Sequence, residues 1–470
     1  MLKTTLLGHA SLVIQSREAT IMTDPVWFDY LWEEINVLCP RIELHKDKVP
    51  SLDVLYLSHR HQDHFDVRTL AYLVQNERLI RPDTLVMAPR DQILLDVLNE
   101  LEFKNLHVIR DFEEVKIKDV TLTPTPSLNQ SSTSQDYYPE HGLVVGNGEV
   151  AIWNQVDTIV NPEIVDRIKQ QFGALDMVHS RFVPLLEGNF SYNKPCNLPF
   201  DEYCSFLNII KTLAPKFVVP GSAAFRYRDE INFLNQYSFP TTQKQFLRDL
   251  AAFCPEVPAG EFLNADVATI TPKGVRIEKN ASAFVQRGED DSYKAVFKPV
   301  MEVPPIRTRT TDPKQHEEEM RVVHDFIENE FIKRIRSSEM LEGWMHWQVA
   351  YQLEVFGQEG SEIWSIDFAQ PEPKIEQCDL GKINLYEGIA SSELYRLIKG
   401  LAPWDYITLC GNYRTFNNLY RITDGNFEYF PSEKMNVAFE PLMEAFPWDP
   451  AMDREKFMKD VRRWKGVPQT

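Results

Sequence analysis

Ser58-His59-Arg60-His61-Gln62-Asp63-His64-Phe65-Asp66 places three of the chain's eleven histidines, with an aspartate among them, in one H-x-H-x-D-H run. The run follows Val54-Leu55-Tyr56-Leu57, an apolar stretch that predicts a buried strand. Imidazoles and a carboxylate at a strand's C-terminal end are donor types for zinc, iron or manganese. On an extended segment His59 and His61 project to the same side and reach one metal. Asp63 and His64 address a neighbouring position as the chain turns into a helix, whose apolar spacing is set by Val67, Leu70, Ala71 and Val74. One motif thus seeds two adjacent metals, which together can activate a bridging water or, as iron, bind dioxygen. A loop that is His-rich by chance has no reason to place four donor residues in this order at a strand exit.

Further donors must come from elsewhere. Asp157 ends the strand Val150 to Trp153, and Glu140 stands just before its partner, Leu143 to Val145. Gly146-Asn147-Gly148 between them is a hairpin signal, so both carboxylates are expected at one end of the hairpin, with Asp157 bridging the metals. The metal set is therefore His59, His61, Asp63, His64, Glu140 and Asp157. His9 and Asp24 close strands in the first hairpin and are expected to orient a ligand imidazole or a bound water. His179 ends the strand Leu175 to Val178 and completes the catalytic set of His9, Asp24 and His179. A lone histidine at a strand end is more often structural. His141 should turn away from Glu140 by strand alternation. Arg181 and Arg226 follow strands that could end at the site edge and hold an anionic substrate.

At 470 residues, 43% hydrophobic and 25% charged, the chain is ordinary globular material for two domains. A net charge of −19 disfavours nucleic acid and anionic membranes as main partners. The six cysteines are scattered, without C-x-x-C, zinc-ribbon or Rieske iron–sulfur patterns, as in reduced cytoplasmic proteins. No signal peptide or spanning segment is expected.

Along residues 1–280, strands are expected at 11–14, 19–22, 52–57, 84–88, 115–123, 143–145, 150–153, 175–178 and 217–219. Helices are expected at 92–101, at 161–172 behind the cap sequence Asn161-Pro162-Glu163, and around 206–213. Residues 281–315, rich in proline and threonine, read as a linker. Residues 316–470 read as a smaller α+β domain without a catalytic cluster. It has a charged helix over Pro313 to Arg336, strands at 347–355, 363–368 and 383–385, and a capped helix from Ser391 to Leu401. Trp344, Trp347, Tyr351 and Trp364 read as its core.

Gly8-His9-Ala10-Ser11, Thr23-Asp24-Pro25, the H-x-H-x-D-H run and Asp157-Thr158, in that order, resemble the metallo-β-lactamase superfamily over roughly residues 1–280. The resemblance implies an α+β fold: an αβ/βα sandwich with the metal site at one edge of two sheets. The hydrolytic members carry two further histidines. Here the matching stretches, Thr125-Pro126-Ser127-Leu128-Asn129-Gln130 and Phe217-Val218-Val219-Pro220-Gly221-Ser222-Ala223-Ala224-Phe225, have none. Carboxylate in place of imidazole makes a site harder, favouring iron or manganese over zinc.

A narrower resemblance joins Tyr138-Pro139-Glu140-His141-Gly142-Leu143, Ile152 to Asp157, Leu213 to Phe225 and Ser392 to Asp405 to CMP-N-acetylneuraminate hydroxylases. It implies iron-dependent monooxygenation. A carboxylate in place of the third-motif histidine also occurs in the di-iron β-hydroxylase of chloramphenicol biosynthesis, which makes Glu140 the candidate replacement ligand. The sialic-acid hydroxylases carry an N-terminal Rieske domain that this sequence lacks. The expectation is therefore a cytoplasmic di-iron oxygenase acting on a small polar metabolite or a sugar or amino-acid derivative. Two iron ions would be its cofactor (zinc or manganese the alternatives), and a separate ferredoxin or reductase its electron donor. The competing reading is a dinuclear hydrolase of lactonase or phosphodiesterase type. A scaffold with a vestigial site fits the intact motif poorly.

Overall fold

The structure is a computed structural model that describes residues 1–32, 34–128, 139–184, 186–222, 225–288, 302–430 and 439–467. Of the segments quoted above, Asn129, Gln130, Tyr138, Ala223, Ala224 and the proline-rich residues up to 301 lie outside the described set.

Two sheets face each other. The first has eight strands in the order Gly274–Glu278, Val267–Thr271, Leu2–Gly8, Ser11–Gln15, Thr20–Thr23, Leu52–Tyr56, Ile80–Ala88 and Leu106–Val108. The second has six, ordered Val218–Gly221, Met177–Arg181, Ala151–Asn154, His141–Gly146, Val120–Pro126 and Val115–Ile117. Strand alternation explains the layering. Leu12, Ile14, Ile21, Val54 and Tyr56 point inward and meet Leu122, Leu143, Val145, Ile152 and Val219 of the other sheet. Val13, Met22, Leu52 and Leu55 point outward and are covered by helices Val67–Gln75, Gln92–Glu100 and Pro450–Trp464. On the far side Val144, Trp153 and Val178 pack under helix Pro162–Phe172. Helices thus cover both outer faces, the αβ/βα sandwich expected from the sequence.

Two local expectations are corrected. Residues 115–123 are not one strand: Val115–Ile117 and Val120–Pro126 pair antiparallel, Ile117 opposite Val120. Lys118 takes φ 52°, so Lys118-Asp119 makes the tight turn without the glycine or asparagine that would have signalled it. The helix at Ser391–Ile398 has Ala390 at its cap position and no side-chain cap.

Within 281–315, Val285–Arg287 pairs with Ile42–Leu44. Beyond it a five-stranded sheet, ordered Ile375–Glu376, Ser361–Asp367, Ala350–Phe356, Leu385–Ala390 and Tyr413–Asn417, packs against helices Pro313–Asp325 and Ser391–Ile398. Trp344, Tyr351 and Trp364 are buried there as expected, and Trp347 is half-buried. Their cluster continues into Leu31, Trp32, Ile35, Leu38, Phe225 and Tyr227 of the first part of the chain. The two parts therefore share one apolar core. No helix among the described residues is long and apolar enough to cross a membrane.

Candidate metal centre

Strand register decides which residues meet. Thr20–Thr23 and Leu52–Tyr56 run parallel with Thr23 opposite Tyr56, so Asp24 and Ser58 leave the sheet side by side. In the facing sheet Asn154 lies opposite both Leu143 and His179, which brings Glu140, Asp157 and His179 to the same edge. The motif then turns: the His64 and Phe65 amides donate to the His61 carbonyl at 2.9 and 2.7 Å. Asp66 caps the next helix by accepting from the Thr69 amide.

Two donor groups result among the described residues. His59, His61 and Glu140 form one, and His9, Asp63, His64 and Asp157 the other; within each, donor atoms lie within 4.8 Å of one another. His59 Nε2 is 2.9 Å from His61 Nδ1 and 3.9 Å from Glu140 Oε1. His9 Nε2 is 2.7 Å from His64 Nε2 and 3.2 Å from Asp63 Oδ2, while His64 Nε2 is 3.2 Å from Asp157 Oδ2. The groups adjoin, with the His59 and His64 ring centroids 4.2 Å apart.

The surrounding hydrogen bonds assign the tautomers. Ser58 Oγ donates to Asp24 Oδ2 at 2.6 Å and so receives its 2.9 Å bond from His59 Nδ1–H. Asp24 Oδ2 also receives His64 Nδ1–H at 3.0 Å. With Nδ1 committed as a donor, each imidazole turns Nε2, the atom a metal would bind, towards the donor groups. Asp24 Oδ1 accepts from the Ser58 amide at 2.8 Å, so this one carboxylate orients two histidines.

The chemistry of these groups fits a metal. Burial, and then the neighbouring imidazoles, push His59 far below its ordinary range; burial brings His61 to about 4. Both are neutral at pH 7, the form that binds a cation. His64 goes the other way: burial opposes its charge, but Asp157 and Asp63 outweigh it and raise the imidazole. Asp157 Oδ1 and Asp63 Oδ1 are buried without a hydrogen-bond partner. Carboxylate oxygens rarely stay so unless a cation or water meets them.

Most expected residues converge, with shifts of place. His9, expected behind the ligands, stands among the donors through a backbone at φ 53°. Asp24, at φ 37°, lies behind the donor groups and accepts from His64 Nδ1–H. His179 Nδ1 is held 2.9 Å from Asn154 Oδ1, and its Nε2 is buried without a partner, outside both donor groups. Burial, and then His9, bring it to about 3. His141 turns away to Asp111 at 2.9 Å. Arg181 does not face an open site: Nη1 donates to the Asp157 carbonyl at 3.0 Å and Nη2 to Glu202 at 3.3 Å. Arg226 Nη1 donates to the Phe225 carbonyl at 2.5 Å and its guanidinium lies over Phe239.

Sequence reasoning missed Glu187. Burial, and then the charges of Asp63 and Asp157, push its carboxyl up to about 8, and Oε1 is buried without a partner. It sits between elements, with no motif to announce it. Also missed was a cavity of about 330 Å³ with His61 in its wall and residues 397–457 opposite.

Residues 3–221 match the family model of the beta-lactamase superfamily domain. Sheet order, helical layers and the edge position of the donors agree with that match. This part of the chain has the metallo-β-lactamase fold. Two curated relatives, provisionally named Rieske 2Fe-2S iron–sulfur proteins, come from Mycolicibacterium smegmatis (27% identical over 182 residues) and Mycobacterium tuberculosis (28% over 183). Each match covers 37% of this chain and only 33% of the relative. Among solved structures, CmlA, a diiron β-hydroxylase from Streptomyces venezuelae, is similar at TM-score 0.41 and 18% identity, over 59% of this chain and 54% of that one. An isothiocyanate hydrolase from Delia radicum gut bacteria is similar at TM-score 0.40 and 16% identity, over 57% of this chain and 99% of that one.

Proposed function

We propose that the chain is a di-iron oxygenase, with the metal donors in residues 1–280 and part of the substrate cavity supplied by residues 316–470. The observation that carries this reading is the composition of the first donor group, His59, His61 and Glu140. Two imidazoles with one carboxylate is the donor set of non-haem ferrous oxygenases, and zinc peptidases use it too, so the metal content decides between them. The second group, His9, His64, Asp63 and Asp157, brings the site to three carboxylates, a hard donor set.

When bound, the metals would supply dioxygen activation: one oxygen atom enters a substrate C–H bond and the other leaves as water, with two electrons and two protons delivered from outside. The protein's own contributions are positional and protonic. Asp24 and Ser58 fix His64 and His59; Arg181 fixes the Asp157 backbone. Glu187 holds a proton near neutral pH within electrostatic reach of Asp63 and Asp157. The electrons need a carrier, and the iron–sulfur names of the curated relatives support a one-electron donor of that class.

Elemental analysis of aerobically purified protein tests the reading. About two irons per chain, with dioxygen consumed when a reduced ferredoxin is added, is the expected result. Two zincs with ester, lactone or phosphodiester turnover would replace it with the hydrolase reading.

A further inference from the structure

Two cavities flank Trp32, Gln62 and Phe457, and only one concerns the metal centre. The larger, about 1020 Å³, contains none of the seven donor residues in its lining. The smaller, about 330 Å³, includes His61. That volume exceeds the needs of water or dioxygen and lies in the range of sites for small organic molecules.

The lining chooses the chemistry. Trp32, Trp404, Trp448, Phe446, Met443 and Met452 stand in its lining. Trp32 already lies against a donor, its ring centroid 5.4 Å from that of His61. Trp404 points its one polar atom away, Nε1 donating to Tyr192 Oη at 2.7 Å. Trp448 and Met452, 39% and 50% exposed, leave the cavity's outer end apolar and open to solvent. Flat aromatic faces and thioethers recognise flat apolar groups.

The charged residues of the wall balance in number, and each has a partner within the protein. Arg60 is bonded to Asp91 and Asp453. Arg334 donates to the Ala445 carbonyl at 2.8 Å and lies over Phe446. Asp449 accepts from the Ala451 amide at 2.8 Å, capping the last helix. Lys456 and Asp405 lie within electrostatic reach of each other. Three cations and three anions leave no net charge in the wall, and none is arranged as a fork for a phosphate or carboxylate. A nucleotide sugar would bring its phosphates to a wall whose three cations are matched in number by three aspartates, with Arg334 alone lacking a carboxylate partner among the described residues.

From this we infer that the cavity beside His61 is a binding site for a neutral molecule carrying a flat aromatic or comparably apolar group, seated between Trp32, Trp404 and Trp448. This departs from the small polar metabolite expected from the sequence. It rests on the proposed function only in calling that molecule the substrate.

The test uses the full chain, stripped of metal by a chelator, with 4-fluorophenol as the neutral probe and cytidine 5′-monophosphate as the anionic one, followed by fluorine NMR. Saturable binding of 4-fluorophenol that the nucleotide does not displace is expected. Trp448→Ala, at the open end, and Ala402→Phe, which fills the cavity, should each weaken it about tenfold or more. Because Ala402 is buried and its variant can fail to fold, the exposed Trp448 carries the decision. Reloading with cobalt(II) should broaden the bound probe's resonance, and the His59→Ala, His61→Ala double variant should not show this effect. Tighter binding of the nucleotide, unchanged 4-fluorophenol binding in Trp448→Ala, or no broadening by cobalt would each overturn the assignment. Zinc content with hydrolytic turnover would overturn the oxygenase reading alone and leave these binding results standing.

Discussion

Asp24→Asn is the most informative single change at the centre. The carboxylate accepts three hydrogen bonds: His64 Nδ1–H at 3.0 Å and Ser58 Oγ–H at 2.6 Å on Oδ2, and the Ser58 amide at 2.8 Å on Oδ1. Asparagine keeps the shape, tolerates the native φ of 37°, and keeps Oδ1 as an acceptor. It replaces Oδ2 by an amide that can only donate. Two donors then face two donors, unless His64 moves its proton from Nδ1 to Nε2, where the metal must bind. Loss of such an outer partner costs about 10- to 100-fold in metal affinity, about 1.4–2.7 kcal/mol. Ser58→Ala is the control: it removes the hydroxyl that Asp24 Oδ2 accepts and the 2.9 Å bond that orients His59, but leaves the His64 Nδ1–H bond to Asp24 in place; the His59 bond, a neutral interaction, is worth about 1 kcal/mol, or roughly fivefold. The assay is titration of the metal-free variants with cobalt(II) against a chromophoric chelator, resolving two binding steps. Asp24→Asn should weaken the step belonging to His9, Asp63, His64 and Asp157 at least as much as the other. Wild-type affinity in Asp24→Asn, or a larger loss in Ser58→Ala, would refute the tautomer assignment.

Glu140→Ala should bind about one metal per chain instead of two, because the four-donor group is untouched, and metal analysis after gel filtration checks this. Gly221→Ala places a Cβ 2.6 Å from His179 Cδ2, an overpacking expected to cost about 1–3 kcal/mol, read as a lowered calorimetric midpoint with the Asn154 contact broken. Glu387, buried and bonded by Tyr351, Tyr413 and the Leu442 amide, has its carboxyl pushed up to about 8 by burial. The fold therefore retains a proton that the unfolded chain releases near pH 4.3, so wild-type stability should fall relative to Glu387→Gln between about pH 5 and 8, by up to about 1.4 kcal/mol per pH unit. Urea melts across that range that run parallel for the two proteins would contradict it.

What was legible in the sequence follows from how local each signal is. The H-x-H-x-D-H run is contiguous: the H-x-H spacing keeps His59 and His61 together, and the turn into the next helix carries Asp63 and His64 to the neighbouring position. Asp157 and Glu140 were reachable because a short hairpin joins their strands. His9 reads from the sequence as a residue behind the ligands; its left-handed backbone carries the ring in among the donor groups, and composition gives no sign of that conformation at a non-glycine residue. Glu187 had no signal at all: its carboxyl matters because of what a fold of distant segments brings near it. The aromatics of the second domain divided the same way. Those alternating in strands or a helix were readable as core, while Trp404 opens the helix Trp404–Leu409, Trp448 stands between helices, and both acquire meaning only from His61 across the cavity.

That cavity also explains why the metal-binding fold is joined to a second domain. The residue between the two motif histidines, Arg60, is only 5% exposed, and its guanidinium is held by Asp91 in the sandwich and by Asp453, 393 positions away on the last helix. An ion pair at this depth is poor as a source of stability, because desolvating both partners cancels most of the attraction. It is effective for registration, because displacing either partner strands a buried charge. Helix Pro450–Trp464 also packs against Val67–Gln75 and Gln92–Glu100, the helices that follow the motif strand and its neighbour. The same helix brings Met452 and Lys456 to the cavity wall. Loop, helix and cavity are therefore tied to one another, and a shift of the last helix must move His61 or break the Arg60 contacts. In this architecture Leu397, Ala402, Trp404, Met443, Trp448 and Met452 line the space next to His61, so the second domain sets its shape.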